Sequence, residues 1–382
     1  MVTIDDEDSI FYSSARSLGC VALGKTNAPA FGFRATCDNK MYGATKNPYS
    51  LDHNSGGSSG GSASAVGAHL VPIAEGGDAG GSIRVPSAWC NCFGYKASAG
   101  AIPNVCRPDA WTATHPYCTP GPISRSIRDS KTILSKMIGY DKRDPISAPS
   151  LLHRDPSLVH EIQIGFSYDF DFFPDPDDEI KECIDGVVKV LGKAGNSVKP
   201  VNFNIAYRRN EVENSWLRSI SVDSAVDFEL MKKNGVDLLS EHPEDFPQEL
   251  IYWNEIAMAS DMLDYRKFHD IRTNILDAHI SAFEDVDFII TPVTGCLPVL
   301  NSDAKGKTVG PNSIGGEQVN PLIGFAYTYL ENMTGFPAAS LPVGFSDSGL
   351  PIGIQIIAPR YRDYELINFC SYLASILGLD CK

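Results

Sequence analysis

At 382 residues and 43% hydrophobic content the chain can bury a substantial core, as one large α/β domain or as several smaller ones. A formal net charge of −15 and a pI near 4.9 argue against nucleic acid or an anionic membrane surface as partner. No apolar run is long enough to span a bilayer, and the acidic start Met1-Val2-Thr3-Ile4-Asp5-Asp6-Glu7-Asp8 is unlike a signal peptide. A cytoplasmic protein is expected, with its ten cysteines mostly reduced.

Residues 9–18 read as a short helix stopped by Gly19, and Cys20-Val21-Ala22-Leu23 as a strand broken at Gly24. Residues 28–57, rich in Pro, Gly, Asn and Asp, have no period and read as ordered loop. A Gly/Ser cluster then leads into an Ala-rich helix from Ser62 to Leu70, and Val71-Pro72-Ile73-Ala74 is a short buried strand. Ile123, Ile127, Ile133, Leu134, Met137 and Ile138 fall near one helical face. Between 161 and 206 the pattern is strand 162–165, helix 177–194 and strand 198–205, a βαβ unit implying a mixed or parallel sheet. A long helix is expected over 250–284, followed by the strand Phe288-Ile289-Ile290 ending at Thr291-Pro292. Ala339-Ser340-Leu341-Pro342-Val343 and Gly353-Ile354-Gln355-Ile356-Ile357 form a strand pair turned at Ser346-Asp347-Ser348-Gly349, and a helix over 364–377 closes the chain. With no repeat and no linker, residues 1–382 read as a single α/β domain.

Two segments carry chemistry. Gly56-Gly57-Ser58-Ser59-Gly60-Gly61-Ser62 is, on composition alone, a flexible linker. The apolar helix directly behind it changes the balance, because glycines that open a buried helix gather free N–H groups and bring backbone close to a ligand. Asp78-Ala79-Gly80-Gly81-Ser82-Ile83-Arg84-Val85-Pro86 places two glycines before a serine, so that consecutive N–H groups can point into one concavity. Its plainer reading is a turn between strands with Asp78 and Arg84 as a surface pair.

Together the two segments, with Ser58 and Ser82 24 residues apart, resemble the amidase signature family. The match continues through Gly94-Tyr95-Lys96, Gly121-Pro122-Ile123-Ser124-Arg125, Asn332-Met333-Thr334-Gly335-Phe336-Pro337 and Gly349-Leu350-Pro351-Ile352-Gly353-Ile354-Gln355. It runs backwards through Gly24-Lys25-Thr26-Asn27, so nearly the whole chain is covered in colinear order. The resemblance implies a mixed β-sheet covered by helices on both faces and an amidohydrolase acting through a Ser–cis-Ser–Lys triad. Ser82 takes the nucleophile's position, and Ser58 that of the bridging serine after a cis peptide bond. Ala79, Gly80 and Gly81 with Ser82 take the oxyanion hole, and Ser59, Asp78 and Arg84 its structural support. A small-molecule amide is the implied substrate, a homodimer is a compatible assembly, and neither cofactor nor metal is implied.

The triad also needs a base, a lysine whose pKa lies well below ~10.4. In the family it stands several tens of residues before the Gly/Ser loop. No residue here takes its place: Lys25 and Lys96 match other positions of the pattern, and Lys40 and Lys46 lack the context. The chain is therefore expected to lack the family's N-terminal part, as a fragment of a longer protein, one of two assembling chains, or a non-catalytic relative that binds rather than cleaves. Loss of that part should leave apolar surface exposed. An amidotransferase-type subunit working in a complex is a further reading within the family.

Other motifs fit less well. Gly56-Gly57-Ser58-Ser59-Gly60 also matches the Gly-x-Ser-x-Gly elbow, but Tyr49 to Asn54 is a poor strand and His242, His269 and His279 lack context. Cys90, Cys92, Cys106, Cys118, His69 and His115 match no zinc spacing and read as structural thiols and isolated imidazoles. Trp89, Phe325 and Tyr327 are read as core packing rather than pocket lining.

Overall fold

A computed structural model describes residues 7–148 and 162–379. Eight strands make one sheet: β1 (Ile73–Asp78), β2 (Phe93–Lys96), β3 (Thr119–Ser124), β4 (Gln163–Phe166), β5 (Ser197–Pro200), β6 (Phe288–Pro292), β7 (Ala338–Phe345) and β8 (Pro351–Ile357). Their order is β1-β3-β2-β7-β8-β6-β4-β5. β6, β4 and β5 run parallel, as the βαβ unit requires, and the other neighbours are antiparallel. The sheet is thus mixed.

Successive strand residues face opposite sides. Ile290 and Ile356 enter one core with α1 (Ile10–Ser17), α4 (Ile127–Met137), α5 (Asp178–Lys193) and α10 (Asp363–Ile376), for which α2 (Gly60–Gly67) and α3 (Arg84–Trp89) complete the count in chain order. Ile289 and Ile357 enter a second core with α6 (Arg209–Lys233), α7 (Gln248–Met258), α8 (Met262–Ala282) and α9 (Tyr329–Thr334). The fold is therefore α/β with helices on both faces. No helix among the described residues is long and apolar enough to cross a membrane.

Several expectations need correction. Cys20-Val21-Ala22-Leu23 is not a strand; Val21 is 81% and Leu23 77% exposed, and a strand without a partner leaves its peptide groups to water. The segment 28–57 is not all loop: Ser50–Asn54 is a strand paired with Lys46–Asn47, so the poor-strand reading of 49–54 fails. That ribbon is separate from the eight-stranded sheet. The strand expected as buried Val71-Pro72-Ile73-Ala74 is longer and later, spanning β1, and only half-buried over Ile73 to Glu75. Ile123 belongs to β3, and α4 starts only at Ile127, where the Ser126 hydroxyl accepts the Asp129 N–H at 3.1 Å. The expected strand over 198–205 covers only β5.

The expected helix over 250–284 is two. Asp261 caps α8 by accepting the N–H groups of Leu263 at 2.8 Å and Asp264 at 2.9 Å, so a new helix starts there. β2, β3 and the 25-residue α6 escape the periodicity reading altogether. In β3, Pro120 and Pro122 look like loop residues, yet they lie where the strand pairs fully with β1 and not with β2.

Candidate active site

The Gly/Ser loop is folded core, not linker. Gly56, Gly57, Gly60 and Gly61 are buried, and a Cβ on Gly57 would stand 2.6 Å from the Thr36 carbonyl carbon. Only a bare backbone fits there. The Gly57–Ser58 peptide is cis, as the resemblance implies. Ser58 is half-buried, with its hydroxyl directed towards Gly32: a Cβ there would lie 3.5 Å from Ser58 Oγ. Ser59 ties the loop to the second segment, its N–H donating to the Ser82 carbonyl at 3.1 Å and its hydroxyl accepting the Gly77 N–H at 3.3 Å.

β1 ends at Asp78, where the chain turns into α3. The Asp78 carboxylate accepts the N–H groups of Gly81 at 2.8 Å and Ile83 at 3.2 Å, which sets the turn. Asp78 and Arg84 are no surface pair; both side chains are fully buried. The Arg84 guanidinium donates to Asp78 through Nε at 3.0 Å and through a terminal nitrogen at 2.8 Å. Its other donors reach Glu331 at 3.1 Å, Gln355 at 2.5 Å and Asn332 at 2.6 Å. Burial alone would raise the Asp78 pKa, but the Arg84 charge and hydrogen bonds outweigh it and hold the carboxyl at about 2.

The carbonyls of this turn are anchored one by one. Asp78 O accepts Asn332 Nδ2 at 2.7 Å, Ala79 O accepts Trp216 Nε1 at 3.1 Å, Gly80 O accepts the Thr328 hydroxyl at 2.7 Å, and Gly81 O accepts the Val85 N–H at 2.7 Å. In a trans peptide the next residue's N–H points opposite to the carbonyl. Anchoring four carbonyls therefore orients the N–H groups of Ala79, Gly80, Gly81 and Ser82. Those of Ala79, Gly80 and Ser82 have no acceptor among the described residues, whereas Gly81 donates to Asp78. Gly81, expected among the oxyanion donors, gives its N–H to the Asp78 carboxylate at 2.8 Å. Its role is steric, with φ of +121° and a Cβ that would collide with Thr328 Oγ1.

Gly57, Gly80, Gly81 and Ser82 share a narrow cavity of about 20 Å³ with Gly32, Trp216 and other side chains, which is room for about one water-sized group. Two of the residues that shape the turn, Trp216 and Thr328, carry no signal in the sequence pattern. Trp216 sits on the unanticipated α6. Neither the Ser58 nor the Ser82 hydroxyl has a hydrogen-bond partner among the described residues, and no described lysine reaches them. Lys25, Lys40 and Lys46 are exposed. Lys96 is buried on β2, donating to the carbonyls of Ala97 at 3.1 Å and Phe336 at 2.7 Å, and desolvation together with Arg84 lowers its pKa to about 8.

The competing motifs find no support. Buried His279 bonds to Ile275 O at 2.8 Å and Glu331 at 3.3 Å rather than to a serine, which leaves the elbow reading without its imidazole. Cys90 and Cys92 are buried thiols donating to the carbonyls of Ser55 at 3.4 Å and Ala63 at 3.5 Å. Trp89 stacks on Phe325 at 5.6 Å and Tyr327 on Phe173 at 4.2 Å, all of them core.

Comparison with known proteins gives one consistent result. The Amidase family model matches residues 2–367. The chain is 31% identical over 381 residues to a subunit of the glutamyl-tRNA(Gln) amidotransferase of Pseudomonas fluorescens (strain SBW25), covering 94% of this chain and 75% of that protein. Among solved structures it is similar to a bacterial aryl acylamidase of the amidase signature enzymes, with a TM-score of 0.92 and 34% identity over 97% of this chain and 76% of that one. It is also similar to 6-aminohexanoate cyclic dimer hydrolase in complex with substrate, at a TM-score of 0.81 and 26% identity over 98% and 78%.

Proposed function

The chain belongs to the amidase signature family, and from that premise we propose that it cleaves a carboxamide C–N bond with Ser82 as nucleophile and Ser58 as proton bridge. The observation that carries this reading is the turn 78–82, whose anchored carbonyls leave the N–H groups of Ala79, Gly80 and Ser82 free beside the Ser82 hydroxyl. Ser82 Oγ adds to the amide carbonyl, and the negative charge on the tetrahedral oxygen meets those preplaced donors. Ser58 passes the serine proton to the leaving nitrogen, the C–N bond breaks, and water hydrolyses the acyl ester on Ser82. The likeness to aryl acylamidase makes an aryl amide the first substrate class to test.

A second reading is a chain that binds amides without turning them over, since no described lysine is bonded to either serine. A fluorophosphonate probe separates the two, combined with turnover of an anilide. The hydrolase reading requires an adduct on Ser82 that disappears in Ser82→Ala, together with anilide hydrolysis that falls at least about 100-fold in that variant. A folded protein that binds the anilide, takes no adduct and releases no aniline would hand the site to the second reading.

A further inference from the structure

Helix α6 separates two spaces. Trp216, Leu217 and Ile220 line the narrow cavity at Ser82, whereas Glu211, Ser215, Arg218 and Val222 line a second, much larger cleft. At about 100° per residue these four centre opposite the first three, while Ser219 and Asp223, which also line the cleft, turn back towards the Trp216 side. The second cleft, of about 1040 Å³, lies between α6, the first half of α8 and the loop 109–115. Its volume is at the upper end of what small-molecule sites usually have, about 300–1,000 Å³. None of its residues belongs to the turn at Ser82.

The charge of the cleft is one-sided. Six carboxylates line it, those of Asp109, Glu211, Asp223, Asp261, Asp264 and Asp270, against the cations Arg218 and Lys267. Most of these groups already have work. Arg218 and Lys267 both pair with Asp264, at 2.8 and 3.6 Å, so neither neutralises the others. Asp261 caps α8, Glu211 accepts the Arg208 N–H at 2.9 Å, and Asp270 pairs with Arg266 at 3.3 Å.

Asp223 is different. Its carboxylate is half-buried and accepts from the Thr112 hydroxyl at 2.7 Å, with no cation paired to it among the described residues. Desolvation, with Asp227 and Asp109 nearby, raises its pKa to about 6. Beside it the wall is aromatic: Trp111, 55% exposed, and Tyr265, 39% exposed, present large apolar faces to solvent within the same cleft. An unpaired carboxylate next to open aromatic faces is complementary to a cation that carries an apolar arm.

We propose that this cleft binds a small arylalkylammonium ion, with the ammonium held by Asp223 and Asp109 and the aryl arm against Trp111 and Tyr265. The site is independent of the chemistry at Ser82. Asp223 stands two turns along α6 from Trp216, so an occupant shares a rigid element with the turn 78–82.

The test is calorimetric titration of the full chain with phenethylammonium chloride, and with 2-phenylethanol as its neutral isostere. One saturable site is expected, with the alcohol at least about 10-fold weaker. Asp223→Asn and Trp111→Ala should each weaken the ammonium at least about 10-fold. The mutated Trp111 is solvent-facing, so that variant keeps the test informative even if Asp223→Asn folds poorly. Ser82→Ala should leave the affinity unchanged. Absence of binding, equal binding of ammonium and alcohol, or an affinity that follows Ser82 and ignores Trp111 would each overturn the assignment.

Discussion

Replacing Arg84 by Met tests the buried network under the turn 78–82. The guanidinium makes ion pairs with Asp78 at 2.8 Å and Glu331 at 3.1 Å, all three side chains being fully buried. A methionine fills similar length but leaves two carboxylates without their cation and Gln355 and Asn332 without their donor. Breaking a buried pair from one side costs about 3–5 kcal/mol, most of it the uncompensated charge left behind. With an unfolding entropy of about 2.1 cal/mol/K per residue, a chain of this length has about 0.8 kcal/mol/K, so the expected fall in Tm is about 4–6 °C. Circular dichroism melts at pH 7 measure it directly. The pH dependence follows from Asp78, whose folded pKa of about 2 lies below its ordinary value of 3.8. That contribution is complete above pH 4 and is lost as pH falls towards 2, so the wild-type acid limb should be steeper than that of Arg84→Met. The double variant Asp78→Asn/Arg84→Met should lose clearly less than the two single losses added, since the stranded charge is removed with its partner. A melting shift under 1 °C in Arg84→Met, or strictly additive losses in the cycle, would show that the network carries no such energy.

Three further variants probe the helix and turn around the serines. Glu213 is buried on α6 with an oxygen that accepts no hydrogen bond among the described residues, and desolvation raises its pKa to about 7; its contribution is therefore fullest below pH 4.5 and declines up to pH 7, and Glu213→Gln should gain about 1–3 kcal/mol in urea denaturation at pH 7.5 but little at pH 4.5. Trp216→Phe keeps the packing but loses the 3.1 Å bond to the Ala79 carbonyl, so about 1 kcal/mol of stability should go while fluorophosphonate labelling slows by a larger factor; equal effects on both would remove Trp216 from the positioning of Gly80. In Gly80→Ala the new methyl would meet the rigid indole of Trp216, a steric conflict worth about 1–3 kcal/mol, and a variant that melts and labels like the wild type would contradict the close approach.

The two serine segments were legible because their chemistry is local. Glycines before a serine and a short helix behind it state a backbone role within one stretch of sequence. The edges of the fold were less readable. α6 hides because its buried face mixes Trp216 and Leu217 with Ser221, Ser224 and Ala225, which blurs the apolar period. β3 hides because two prolines mark a loop unless the missing β2 partner at those positions is known. The split between α7 and α8 was readable in principle from Asp261 as a cap, but a continuous apolar period outweighed it. Asp78 and Arg84 could be matched to a pattern, yet whether they are a surface pair or a buried one depends on Glu331, Asn332 and Gln355, about 250 residues later.

That distance is also what makes the turn usable. A loop with two glycines has many backbone states, and by itself would aim its N–H groups nowhere. Here its carbonyls are held by Trp216 from α6, Thr328 just before α9 and Asn332 within α9, while Asp78 is held by Arg84. Each anchor belongs to an element packed on the sheet or its second core, so movement of the turn requires movement of the core. The N–H groups of Ala79, Gly80 and Ser82 are thus oriented by the fold itself, and in the proposed reaction the cost of orienting them would fall on folding. The design has a corollary: variants at Trp216, Thr328 or Asn332, none of which supplies a reacting atom, should move the labelling rate of Ser82 more than surface variants of equal stability loss.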